Sequence, residues 1–275
     1  MDERIAVVTG ANQGLGFALV ESLATEMGPD SVVYLTGRDE GRVDAASQRL
    51  SRRGLAVVPA LVDVSDQASV ARFAEQLCDR HGGLDVVFSN AAARITPAEP
   101  PAAQVRSFVA TNNWGTTRVL RSFLPLLREG GRIFVVASSF GTLRSLPEAL
   151  HDRFDASSLT LDELDATMAA FVEDMENGCT DRGWPDWINI PSKVGQVAAM
   201  RVAARQTAAV SGDVLVAAVC PGLVDTAASR PWFDDMTAAQ QPSEAAAHLV
   251  DLALGPARRD VHGELVQFGS ILPWR

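Results

Sequence analysis

The sequence predicts an α/β protein, a doubly wound parallel sheet of seven strands with helices on both faces. Three observations predict it: short Val-, Ile- and Leu-rich runs alternate with longer helical segments, most of those runs are apolar throughout, and a glycine-rich turn follows the first. Strand–helix alternation produces a parallel sheet wound with helices. Strands covered on both faces lose the in–out alternation of a half-exposed sheet.

The seven strands are IAVVTG (5–10), VVYLTG (32–37), AVVPALVDV (56–64), DVVFSN (85–90), RIFVVASS (132–139), LVAAVCPG (215–222) and GELVQFG (263–269). Between them FALVESLATEM (17–27), SVARFAEQLCDR (69–80) and SEAAAHLVDLALG (243–255) carry apolar residues at helical spacing. No internal repeat or low-complexity linker interrupts the pattern, so 1–275 reads as one domain.

Residues 140–183 break the rhythm as an inserted helical segment before the next motif. Thr160 and Glu163 have capping-box spacing, and Leu161, Leu164, Met168, Phe171, Val172 and Met175 form an apolar stripe that ends near Gly178. This acidic amphipathic helix is expected to pack on the body. Insertions after strand ends also lie near the ligand crevice, which makes the segment a candidate lid or pocket wall.

Composition narrows the function. With 47% hydrophobic and 21% charged residues over 275 positions, the chain is globular and long enough for a large core. A net charge of −10 argues against a nucleic-acid surface. No apolar run reaches membrane-spanning length, and MDERIAVVTG lacks a signal-peptide pattern. Cys78, Cys179 and Cys220 are too few and too scattered for a disulfide framework or a zinc site. A cytoplasmic, reduced protein without a metal site is the expectation.

TGANQGLG places Gly10, Gly14 and Gly16 between the first strand and a helix, a Rossmann-like arrangement in which bare backbone approaches a pyrophosphate at a helix N-terminus. The second strand ends in TGRD, with Arg38 where many NAD sites carry an acid. A guanidinium matches a 2′-phosphate, which points to NADPH/NADP+; the alternative is a surface Arg paired with Asp39 or Glu40.

The order of these motifs resembles the short-chain dehydrogenase/reductase superfamily, and within it the carbonyl-reductase-like branch, from Ile5 to about Gly269. TGANQGLG is similar to the family's TGxxxGxG, SNAAA (89–93) to its NNAG, TNNWGT puts Asn112 at the Asn of the catalytic tetrad, and SSFGTLRSL puts Ser139 at the Ser, with Ser138 as the neighbouring register. GWPDWINIPSKVG matches the catalytic-helix motif with Lys193 at the Lys, and CPGLVDT resembles the turn that closes over the nicotinamide. The resemblance implies cofactor contacts from Gly10, Asn12, Gln13, Gly14, Leu15, Gly16, Arg38, Asp63, Val64, Asn90, Ala91, Lys193, Pro221, Gly222 and Val224. It also implies a monomer, as the long insertion before GWP is associated with that state.

At the position of the family's proton-donating Tyr stands Asn189, and the chain's one tyrosine, Tyr34, is far away in sequence. The family's Lys lowers the Tyr pKa and holds the ribose, its Ser orients the carbonyl and its Asn anchors a relay water. Lys193, Ser139 and Asn112 fit those roles. A carboxamide is not a usable acid near neutral pH. Asn189 and Lys193 share a helix face, and Pro191 between them requires that the helix begin there. Asp186, Asp225 and His151 are candidate substitute acids, each with a solvated surface position as the alternative. Trp184 and Trp187 are candidates for pocket lining or for packing.

Hydride addition to an isolated ketone makes a strongly basic alkoxide that needs a proton; addition to a conjugated enone or an iminium does not. The expected function is therefore an atypical NADPH-dependent reductase acting on an activated C=C or C=N bond of a small, apolar molecule, with a C=O bond less favoured. A non-redox cyclase, dehydratase or rearrangement catalyst with a structural nucleotide is the alternative. A non-catalytic nucleotide-binding protein is the third reading.

Overall fold

The structure is a computed structural model that describes residues 3–179, 182–208 and 213–275; residues 180 and 181 of the inserted segment lie outside the described residues. The chain runs β1 (Arg4–Val8), α1 (Gly14–Met27), β2 (Ser31–Gly37), α2 (Glu40–Ser51), β3 (Val58–Leu61), α3 (Gln67–His81), β4 (Leu84–Ser89), α4 (Pro101–Val109) and α5 (Gly115–Phe123). It continues through β5 (Leu127–Val136), α6 (Leu161–Glu176), α7 (Asn189–Ala208), β6 (Leu215–Cys220), α8 (Pro242–Leu254), β7 (Leu265–Gln267) and β8 (Ser270–Leu272). These strands form one sheet in the order β3-β2-β1-β4-β5-β6-β7-β8.

The seven expected strands are all present and parallel. The eighth is an addition: β8 pairs antiparallel with β7 through a tight turn at Phe268 and Gly269, both at positive φ. That geometry is the two-residue hairpin whose twist matches its flanking strands.

Alternate residues of β1, β2, β4, β5, β6 and β7 enter different cores. Ile5 and Val7 join the cluster beneath α3, α5 and α7, whereas Ala6 and Val8 join the one beneath α1, α2 and α8. Both sets are apolar because both faces are covered. The strand order reverses between β1 and β4, which opens a crevice at their carboxyl ends.

The inserted helix α6 carries the expected capping box, with Thr160 and Glu163 bonding reciprocally. Its stripe residues Leu164, Met168, Phe171 and Val172 are buried in the main core. The Asp165 carboxylate accepts from Thr117 Oγ1 at 2.9 Å and Arg121 at 2.8 Å, and the Asp165 carbonyl accepts from Trp114 Nε1 at 3.2 Å. Burial pushes the Asp165 carboxyl up despite these partners. The helix is thus fastened behind α4, α5 and α7.

Candidate active site

Two adjoining spaces open at the carboxyl ends of the strands. The first is a groove of about 260 Å³ lined by Gly10, Asn12, Gln13, Arg38, Asp39, Arg42, Asp63, Val64 and Ala91, among others. Gly10 presses its loop onto the next strand end: a Cβ there would lie 2.7 Å from Ala91 Cα. Asn90 braces the same loop from below, its Nδ2 donating to the Thr9 carbonyl at 2.9 Å, and it is not part of the groove lining. Gln13 precedes α1 without making a side-chain cap, so the first-turn amides of α1 have no capping side chain.

At the far end Asp39 is committed to its own helix: it caps α2 by accepting from Arg42 N at 3.0 Å. Arg38 is exposed beside it and has no ion-pair partner among the described residues. Asp63 bonds Ser65 through Oδ1, with both the amide and the hydroxyl of Ser65 donating. Uncapped amides at one end and a guanidinium at the other suit a dinucleotide with a 2′-phosphate.

The second space, a cavity of about 410 Å³, is lined by Ser138, Ser139, Asn112, Asn189 and Lys193, by Leu15, Pro221, Gly222 and Val224, and by Trp187, Trp232, Phe233, Phe140, Phe108 and Arg94. Ser139 reaches it because Gly141 lets the turn after β5 press on α7: a Cβ there would lie 2.6 Å from Val197 Cγ2 and 3.0 Å from the Lys193 carbonyl. Ser138 caps that turn, its Oγ accepting from Phe140 N at 3.3 Å. The Ser139 hydroxyl makes no protein hydrogen bond among the described residues and is the more available of the two.

Helix α7 starts at Asn189, which places Pro191 in its first turn, where a missing N–H costs nothing. Lys193 follows one turn later. Burial lowers its pKa from 10.5 to about 8, while the nearby Cys220 acts in the opposite sense. Asn112 sits in a π-helical turn, Ala110–Trp114, and its Oδ1 accepts from Ala93 N at 2.8 Å. Such turns recur at functional sites because they re-aim a few residues of a helix.

The candidate substitute acids lie elsewhere. Asp225 pairs with Arg230 at 2.6 Å, which holds its carboxyl below the usual carboxylate range. Asp186 is exposed, and His151 Nε2 contacts the Leu146 carbonyl at 3.1 Å; none of the three lines the cavity. Trp184 packs in the core against Phe171 and donates to Asp174, while Trp187 lines the cavity. Of the 140–183 segment, Phe140 is in the cavity lining and α6 is not. Among the described residues the lining holds no carboxyl, imidazole or phenol.

Sequence reasoning missed Arg94, which lines the cavity, and the buried polar partners Asn113, Thr116, Ser192 and Gln196 behind the site. No spacing signal marks them; residue count singles out only Lys193, the one lysine among 24 lysines and arginines.

The short chain dehydrogenase family matches residues 4–150, and the chain belongs to the short-chain dehydrogenase/reductase family. It is 34% identical to carbonyl reductase (NADPH) 1 of Bos taurus over 278 residues, covering 98% of each chain. Among solved structures it is similar to menthone neomenthol reductase of Mentha piperita, with TM-score 0.79, 26% identity and coverage of 98% and 100%. Salutaridine reductase of Papaver somniferum gives TM-score 0.77 and 26% identity, covering 92% of this chain and 96% of that one. No helix among the described residues is long and apolar enough to cross a membrane.

Proposed function

We propose that the protein is an NADPH-dependent reductase that adds hydride to an activated double bond, C=C or C=N, of a small apolar molecule, and that Asn189 stands in place of the family's proton donor. The name of the bovine relative supports NADPH, as does the groove that runs from the start of α1 to Arg38. NADPH supplies the hydride. When bound, its phosphates would be held by Arg38 and the α1 amides, and its ribose by Lys193.

One observation carries the choice of acceptor: Ser139 and Asn189 border a cavity whose described lining offers neutral donors but no carboxyl, imidazole or phenol. The carboxamide N–H and the hydroxyl stabilise a developing enolate by hydrogen bonding without giving up a proton, and water protonates its α carbon after the hydride has been transferred. Lys193 and Arg94 are the lining's cations, with no carboxylate to offset them. A positive field favours an enolate and disfavours an iminium, so a conjugated enone is the better acceptor of the two. Trp187, Trp232, Phe233 and Phe140 give its flat body an aromatic wall.

A second reading follows from Lys193 itself. An ammonium with a pKa of about 8 is acidic enough to protonate an alkoxide, which would permit carbonyl reduction of the kind the relatives' names describe. Lys193→Arg separates the two, because a guanidinium keeps the charge but does not act as an acid. The test is NADPH oxidation with matched enone, iminium and ketone substrates, with product masses checked. The enone is expected to turn over fastest, with the ketone slower by about 10²–10⁴-fold. Ketone reduction as fast as enone reduction, lost in Lys193→Arg, selects the second reading. An isomeric product with NADPH unchanged sinks both.

A further inference from the structure

We infer that Gln196 is the positioning residue of Lys193, tying its ammonium to the π-helical turn at Asn112. Lys193 Nζ donates to Gln196 Oε1 at 2.8 Å, Gln196 Nε2 donates to Thr116 Oγ1 at 3.1 Å, and Thr116 Oγ1 donates to the Asn112 carbonyl at 2.6 Å. Gln196, Thr116 and Asn112 are all buried, with at most 2% of their surface exposed.

The chain has one consistent direction. The Thr116 hydroxyl spends its proton on the Asn112 carbonyl, so toward Gln196 it can only accept. Gln196 must therefore present Nε2 to Thr116, which leaves Oε1 for Lys193. A flipped carboxamide would set an acceptor against an acceptor at Thr116 and N–H groups against the ammonium. Buried polar groups avoid both arrangements, since an unmade bond there forfeits the full desolvation penalty.

The acceptor's neutrality matters as much as its place. A carboxylate at 196 would cancel the ammonium's charge, whereas a carboxamide dipole steadies it and leaves it available. One N–H is taken, and two remain for the cavity. The other ionisable groups in the lining are Cys220, at the end of β6, and Arg94, so no carboxylate competes for Lys193. The consequence for turnover rests on the reductase reading above, but the anchoring does not.

The test uses the fact that Lys193 is the only lysine. Labelling with [ε-¹³C]lysine gives a single resonance whose titration reports this group in the protein free of cofactor and substrate. The wild type is expected to titrate near 8. Gln196→Leu and Gln196→Met, which lack the acceptor, move the midpoint down by about one pH unit or more, the size of a lost charge-assisted hydrogen bond. Gln196→Glu moves it up. The NADPH dissociation constant rises about tenfold in Gln196→Leu for the same reason. Midpoints that coincide in wild type, Gln196→Leu and Gln196→Met overturn the proposal, even where stability falls, because a structural glutamine would lower stability without moving the titration. Gln196→Met settles the matter if the buried glutamate prevents folding. Failure to reduce an enone would sink the proposed function and leave this titration unchanged.

Discussion

Asn113 and Ser192 hold each other twice: Asn113 Nδ2 donates to the Ser192 carbonyl at 2.9 Å, and Ser192 Oγ donates to Asn113 Oδ1 at 2.8 Å. Both residues are buried, at 3% and 0% exposure, and they join the π-helical turn to the first turn of α7. Their chain neighbours are Asn112 and Lys193, so this clamp fixes the two site elements against each other. Gly195 permits the close approach, since a Cβ there would sit 2.6 Å from Asn113 Nδ2.

Breaking the clamp therefore costs stability. Ser192→Ala leaves a buried carboxamide oxygen without its donor and is expected to cost about 1–3 kcal/mol in urea unfolding. Asn113→Ala removes both bonds and costs more. In the double variant the two losses are less than additive, because they share one interaction. Additive losses would show that the residues act separately.

Gly141→Ala tests how the hydroxyl of Ser139 is placed. The added methyl meets Val197 Cγ2 at 2.6 Å and the Lys193 carbonyl at 3.0 Å, and only the first of these can yield. The turn must lift from α7 and carry Ser139 with it. Turnover is expected to fall by about 10²-fold, the effect of misplacing a reacting group by about 1 Å. Val197→Ala added to it restores only part of the loss, because the backbone contact remains. Full recovery on steady-state assay would place the fault in packing alone.

Arg38→Ala addresses cofactor choice. Asp39 is occupied as the cap of α2, so Arg38 is free to meet a 2′-phosphate. Loss of a charged hydrogen bond worth about 1.5–3 kcal/mol raises the NADPH dissociation constant by roughly 10–100-fold. NADH, which lacks that phosphate, is expected to bind equally well before and after the change. A parallel loss for both cofactors would mean that Arg38 supports the loop and not the phosphate.

Most of the fold was legible because its strands are covered on both sides: Ala6 and Val8 are as apolar as Ile5 and Val7, so whole runs stand out. The helix α6 was legible down to its cap, which is written locally in Thr160 and Glu163. β8 was not, because its three residues include the exposed Ile271 and its pairing is set by the turn at Phe268 and Gly269. At the site, motif order picks out Ser139, Asn189 and Lys193, which the fold brings to one cavity. Thr116 and Gln196 escaped notice because a buried polar side chain within a helix looks like a surface one until its partner is placed. Trp232 and Phe233 come from a loop without periodicity. No spacing rule selects these two side chains.

Asn189→Tyr asks whether the position lacks only an acid. Asn189 opens α7 and lines the cavity together with Lys193 one turn away, so a phenol there gains a neighbouring cation that lowers its pKa. Ketone reduction is expected to rise by about 10²-fold or more, at the low end of what general acid catalysis supplies. Enone reduction changes little, since its rate does not depend on that proton. An unaltered ketone rate in a folded variant would show that the proton donor was never missing.

Lys193 also leaves a mark on stability, with a sign that can be worked out. Its folded pKa of about 8 lies below the ordinary 10.5, so the unfolded chain holds this proton more tightly. Below about pH 8 both states are charged and the folded protein bears the whole desolvation penalty. Between about 8 and 10.5 the folded state sheds its proton and the penalty shrinks, so folding gains stability as pH rises. Lys193→Met removes the titration but also strands Gln196 Oε1, a cost that does not vary with pH. The informative quantity is therefore the pH dependence of the difference in Tm between variant and wild type in the absence of cofactor. That difference is expected to favour the variant most at pH 7 and to decline by several degrees toward pH 10.5, since each kcal/mol shifts Tm by about 2–4 °C in a chain of this size. A difference that stays flat across this range would mean that the ammonium is solvated, and the cation assigned to the cavity would then lack the enclosed setting that gives its field strength.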